Sequence, residues 1–167
     1  LTEMTPHAAI KAGIVFVPAD RLAEAIVPTL TVTNNVTQPV LERFNSFLLN
    51  WGGVRQHALA LNEALDVRPR DPEVLMSALS GGNQQKVVLS KWMQMSPKLV
   101  LLNEPTQGVD IGAREQVFGE IRRVAGDGAA VICASSDHEQ LAAISDRVLV
   151  LSRGRLVATL AGQAITK

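Results

Sequence analysis

The sequence predicts an α/β fold, a mainly parallel sheet with a helical subdomain, on three observations. Short apolar runs alternate with stretches of helical periodicity, as in strand–helix–strand units. Residues 31–78, lying between two strand-bearing regions, carry mainly helical patterns. A Ser-Gly-Gly turn at residues 80–82 opens a helix that leads into an apolar strand ending in a carboxylate, as in an α/β phosphate-handling site. With 167 residues, 47% of them apolar and 19% charged, the chain is long enough for one buried core.

Taken in order, residues 14–17 are a β-branched and aromatic run between Gly13 and Pro18, which reads as a buried strand. A loop over 18–28 leads away from it. Over 31–49, Val32, Val36, Val40, Phe44, Phe47 and Leu48 recur at mainly helical spacing, with Pro39 dividing or kinking the segment. Gly52-Gly53 breaks it, and a helix restarts over 54–65 with Ala58, Leu61, Ala64 and Leu65 in its apolar stripe. Asp71-Pro72-Glu73 reads as a further helix start, Asp71 capping and the proline in the first turn. Residues 82–95 form a helix whose broad apolar face holds Val87, Val88, Leu89, Trp92 and Met93, with Trp92 a core residue.

Runs 99–102, 129–134 and 147–151 are apolar nearly throughout, the pattern of strands covered on both faces. Helices over 112–125 and 137–143 separate them, and this alternation implies a parallel sheet. Residues 152–155 make a tight turn before a closing strand over 156–160. The organisation is therefore a core strand and its loop in 1–30, a helical subdomain in 31–78, and the rest of the core in 79–167.

Lys plus Arg and Asp plus Glu number 16 each, so there is no net charge and no basic footprint for DNA or RNA. The single cysteine, Cys133, excludes an internal disulfide, fits a reducing compartment and reads as a small core residue. No apolar stretch approaches the roughly 18–20 residues of a membrane-spanning helix. No zinc or haem spacing is present.

Two motifs carry the chemistry. In Leu79-Ser80-Gly81-Gly82-Asn83-Gln84-Gln85-Lys86, a hydroxyl and backbone N–H groups sit at the positive end of a helix, suited to closing on a terminal phosphate. The run Leu99-Val100-Leu101-Leu102 then leads to Asn103-Glu104-Pro105-Thr106 and Gly108-Val109-Asp110, placing a carboxylate where a strand ends and a water could be oriented. Either alone is an ordinary turn or strand end; their order points to a nucleotide site.

Together these motifs resemble the ATP-binding cassette (ABC) ATPases, a P-loop NTPase family, and within it the second cassette of the fused two-cassette ATPases that power bacterial sugar importers. Residues 79–85 resemble the family signature, 99–104 the Walker B strand, and 108–110 the D-loop. Val131-Ile132-Cys133-Ala134-Ser135-Ser136 resembles the switch strand and its end, and residues 12–21 the strand and Q-loop before the helical subdomain. The Gly-x-x-x-x-Gly-Lys-Ser/Thr phosphate loop is absent, so this is a partial core, read as part of a longer protein.

The resemblance implies that Ser80, Gly81, Gly82 and Gln84 act in trans on ATP held by a partner cassette. Glu104 would polarise the attacking water, and Asp110 would communicate between paired sites. Three positions depart from the family pattern. Asn103 replaces the magnesium-ordering aspartate and offers an oxygen without charge. Ser136 replaces the switch histidine and cannot carry positive charge. Ala19 replaces the Q-loop glutamine. These departures imply that the site completed with this cassette's own phosphate loop is weak or non-hydrolytic. His138, two residues beyond Ser136, reads as a solvated residue at a helix start rather than a replacement.

For the full-length parent the resemblance implies an ATPase using ATP and Mg²⁺, peripheral on the cytoplasmic face of the bacterial inner membrane. Its partners would be a second cassette, permease subunits docked through residues 31–78, and indirectly a sugar-binding protein. A catalytically degenerate cassette with a structural or regulatory nucleotide-binding role is the alternative. In that fold the phosphate-loop strand lies between runs 129–134 and 147–151. Its absence is expected to be met by 148–151 closing on 131–133, or by a second copy covering the open edge.

The isolated chain is expected to hold no metal or cofactor and to neither bind nor hydrolyse ATP appreciably, because the phosphate cradle is missing. Isothermal titration with Mg-ATP measures this, and sub-micromolar binding would refute it.

Overall fold

The computed structural model describes residues 5–44 and 48–165. Helix α1 (Pro6–Lys11) starts from Thr5, whose hydroxyl oxygen accepts the Ala8 N–H at 3.2 Å, and turns through Gly13 into β1 (Ile14–Val17). Asp20 caps α2 (Arg21–Glu24), and Thr31 caps α3 (Val32–Thr37). Beyond α3 the chain tightens into a 3₁₀ helix (Gln38–Phe44), the change falling at Pro39, which has no N–H to continue an α-helical ladder. Helix α4 (Trp51–Ala64) follows, capped by Asn50.

The helix expected at Asp71 does not form. The Asp71 carboxylate accepts the Glu73 N–H at 3.1 Å, closing a short turn, and only Met76–Ala78 winds into a 3₁₀ helix. The cause is the free end of α3. Its first N–H groups, from Val32 and Thr33, donate to Val74 O at 3.0 Å and Pro72 O at 2.9 Å, which takes up carbonyls a helix here would use.

Helix α5 (Gly81–Met93) leads to β2 (Leu99–Asn103), α6 (Ile111–Gly126) to β3 (Ala130–Ala134), and α7 (His138–Ile144) to the hairpin β4 (Arg147–Ser152) and β5 (Arg155–Ala161). The parallel sheet is ordered β1-β2-β3, with Ile14 aligned to Leu99 and Leu99 to Ala130. Val15, Val17, Val100 and Leu102 point into a core with Val87, Val88 and Leu89 of α5 and Val117, Phe118 and Ile121 of α6. The same core continues through Val32, Val36, Ala58 and Met76, so the helical residues 31–78 share it with the sheet.

The expectation of strands covered on both faces is corrected. Phe16 and Ile132, on the opposite face, are 47% and 59% exposed. An apolar run cannot say how many of its faces have partners, and among the described helices α5 and α6 cover one face only.

The expected closure of the gap is also not what the chain does: β3 pairs with β2, and β4 pairs antiparallel with β5. Pairing across the two-residue Arg153-Gly154 turn is local, whereas joining β3 in parallel needs a crossover around α7. That short helix is held on α6, through Arg114 to Asp137 at 3.3 Å and Arg122 to Ala143 O at 3.2 Å. Two arginines of α6 are thus committed to α7.

Asn35 is only 2% exposed and ties the loop before α3 to that helix. Its Oδ1 accepts the Val27 N–H at 2.8 Å, and its Nδ2 donates to Val27 O at 3.0 Å and Thr31 O at 2.9 Å. Asn35→Ala strands these backbone groups and is expected to lower stability by about 2–4 kcal/mol. Urea denaturation followed by circular dichroism measures the change, and a loss within about 0.5 kcal/mol would contradict the role.

Candidate functional site

The strands β1, β2 and β3 run parallel, so their C-terminal ends lie together, the usual position of an α/β site. Ala19 follows β1, Asn103 ends β2 with Glu104 next, and Ser135 and Ser136 follow β3. The expected residues fall into two clusters there.

The first is centred on Glu104. Its backbone adopts φ +46°, a left-handed conformation uncommon for a residue with a side chain. The Glu104 N–H donates to Ala134 O at 2.8 Å, which fixes this turn against β3. The Ser135 hydroxyl donates to one carboxylate oxygen at 2.8 Å, and the Ser136 N–H donates to the other at 2.6 Å. The switch-position serine therefore reaches the carboxylate through its backbone. Behind them, the buried Gln140 amide oxygen accepts from Thr106 Oγ1 at 2.6 Å, and the Asp137 N–H donates to Ser135 Oγ at 3.1 Å. Burial would push the Glu104 carboxyl up, but the hydrogen bonds from Ser135 and Ser136 outweigh it and hold the carboxyl below its ordinary value.

Asn103 and His138 are exposed. Among the described residues no group of three or more His, Cys, Asp or Glu side chains could hold a metal. With no phosphate loop in the sequence, the residues of this chain do not make a complete cradle for Mg-ATP. Burial pushes the Cys133 thiol up to about 11, so it stays protonated at neutral pH.

The second cluster joins the signature turn to the D-loop. Ser80 caps α5, its hydroxyl oxygen accepting from Asn83 Nδ2 at 3.0 Å. A Cβ at Gly81 would lie 2.6 Å from Arg21 Nη2 and 2.8 Å from Gly108 O. At Gly82 it would lie 2.7 Å from the Ala113 Cβ and 3.0 Å from an Asp110 carboxylate oxygen. Both glycines are thus required by packing within the chain. Asp110 caps α6 by accepting the Ala113 N–H at 2.9 Å.

Gln84, expected to contact a partner's nucleotide, is buried within this chain, its Nε2 donating to Met76 O at 3.1 Å and its Oε1 accepting from Arg21 Nε at 3.3 Å. Arg21 itself gave no sequence signal beyond a cation shortly after Ala19, and Ser135 only marked a strand end. Both prove to be central contacts.

The family described as ABC transporter matches residues 2–107, and the chain belongs to that family. A ribose import ATP-binding protein of Chelativorans is 41% identical over 152 residues, spanning 90% of this chain and 30% of the relative. An arabinose import ATP-binding protein of Pseudomonas syringae pv. tomato is 40% identical over 162 residues, spanning 96% of this chain and 32% of the relative. The chain therefore spans about a third of these relatives' length. A dimeric ATP-binding cassette in a post-hydrolysis state bound to ADP and Pi superposes with a TM-score of 0.74 at 22% identity, over 89% of this chain and 62% of that one, a likeness of fold.

Because the folded Glu104 carboxyl titrates below its ordinary 4.5, it contributes stability that is present above that pH and lost as pH falls through the folded value. Ser135→Ala removes one bond, so the carboxyl is expected to titrate closer to 4.5 and the acid loss of stability to shrink. Carbon-13 carboxyl titration by NMR reads this directly; an unmoved midpoint would show that the Ser135 bond has no hold on Glu104.

Proposed function

We propose that this chain is part of the ATP-binding subunit of a bacterial sugar importer, with Ser80, Gly81 and Gly82 presented in trans to a nucleotide held by a partner cassette. The observation that carries it is the signature turn packed on the D-loop in a chain without a phosphate loop. Such a surface is suited to completing a site on another cassette. The sugar-import names of the relatives support the same reading. The Ser80 hydroxyl and the first N–H groups of α5, which have no intrahelical acceptors, are what the chain offers to a phosphate. Residues 31–78, sharing one core with the sheet, are suited to passing motion to a permease. Attachment to the cytoplasmic face of the membrane would be peripheral, and no helix among the described residues is long and apolar enough to cross it.

The hydrogen-bonded Glu104, with Asn103 and Ser136 adjoining it and Ala19 shortly after the neighbouring strand β1, favours a second reading for the site this cassette would complete with its own phosphate loop. There it is catalytically degenerate, and the nucleotide has a structural or regulatory role. The two readings make one asymmetric pattern. In the full-length parent, Ser80→Arg or Gly82→Asp is expected to cut steady-state phosphate release on the order of 100-fold, whereas Glu104→Gln changes it by less than about threefold. Unchanged release in the Ser80 and Gly82 variants would show that this signature serves no working site. A large loss in Glu104→Gln would remove the degenerate reading.

A further inference from the structure

We propose that Arg21 is a positioning residue that makes the signature turn, the D-loop and the segment after Ala19 move as one unit; its use in catalysis rests on the in-trans reading above. The guanidinium joins segments far apart in the chain. Its Nε donates to the Gln84 side chain, 63 residues away, at 3.3 Å, and its Nη1 to Gln107 O, 86 residues away, at 2.8 Å. Its Nη2 lies against the bare backbone of Gly81 and 3.5 Å from where a Gly108 Cβ would sit. The planar fork of an arginine suits three fixed directions at once.

Gln84 extends the link. Its other end donates to Met76 O, the last segment of residues 31–78, so the contact runs from the D-loop through Arg21 and Gln84 into the helical region. Both Arg21 acceptors are neutral, and the cation sits beside the positive end of α5. A positive charge there disfavours the helix, so helix stability does not account for the arrangement. Ala19, with only a methyl group, has no polar side chain with which to make a connection of its own. Arg21, two residues on, supplies one from the same segment.

Hydrogen exchange read by mass spectrometry on the chain itself tests the unit. Arg21→Ala is expected to raise exchange at least about tenfold in both 80–86 and 105–110, with the β1–β2 pairing unchanged. Arg21→Lys keeps the charge but cannot fork, so protection is expected to return in 105–110 and not in 80–86. Exchange raised in neither segment, or protection restored in both by lysine, would overturn the proposal. If Arg21→Ala loosens the whole fold, the lysine variant decides.

In the full-length parent, Arg21→Ala is expected to lower kcat for phosphate release about tenfold with KM for ATP unchanged, because the phosphate cradle lies in the other cassette. Release blocked by Ser80→Arg but untouched by Arg21→Ala would overturn the catalytic use of the clamp. Release untouched by both would overturn the in-trans reading, and that use with it, while the exchange result still decides the unit.

Discussion

Helix α5 has no solvent face between Gln84 and Lys91, and this burial on all sides governs what surrounds it. Apolar side chains there complete the core against the sheet and α3. Gln85 Nε2 is buried there without a partner among the described residues, but the two lysines find acceptors inside the protein, since an unpaired buried charge is costly. Lys86 Nζ accordingly donates to Asp66 O at 3.0 Å, and Lys91 Nζ to Gln38 Oε1 at 2.8 Å and Ala25 O at 3.3 Å. Burial pushes the Lys91 ammonium below its usual range, with no carboxylate to offset it. Each bond ties α5 to a different segment of the chain. The signature turn at its head is therefore held by the whole helical region as well as by its cap.

The two site clusters differ in what they leave free. Around Glu104 the hydrogen bonds close inward, and a strained backbone, two serines and Gln140 satisfy one another. Around Ser80 the hydrogen bonds stay within the turn, from Asn83 to the exposed Ser80 hydroxyl, while Gly81 and Gly82 pack against the D-loop. A carboxylate with one donor on each oxygen keeps lone pairs for further donors, and the capped helix end keeps N–H groups that have no intrahelical acceptor.

Much of this was legible because it is local. Apolar runs gave β1 and β2 at their positions, Pro39 marked the change of helix type, and the Ser-Gly-Gly turn with its following strand gave the family. What was hidden depends on partners distant in sequence. Asp71 carries a good helix-start pattern, yet the free N–H groups of Val32 and Thr33 capture the carbonyls that helix would have used. The contacts of Gln84 with Met76 and Arg21 gave no signal in the sequence. Phe16 and Ile132 read as buried because alternation of side chains says nothing about whether the second face is covered.

The open face of the sheet bears on how the isolated chain behaves in bulk. The free edge of β3, the apolar residues beside it and a formal net charge of zero coincide in one molecule. Strand edges template further strands, and only like-charge repulsion keeps such surfaces apart in solution. At neutral pH that repulsion is at its weakest, so colloidal solubility is lowest near the conditions in which a protein is ordinarily purified, and it rises as the solution is moved to either side.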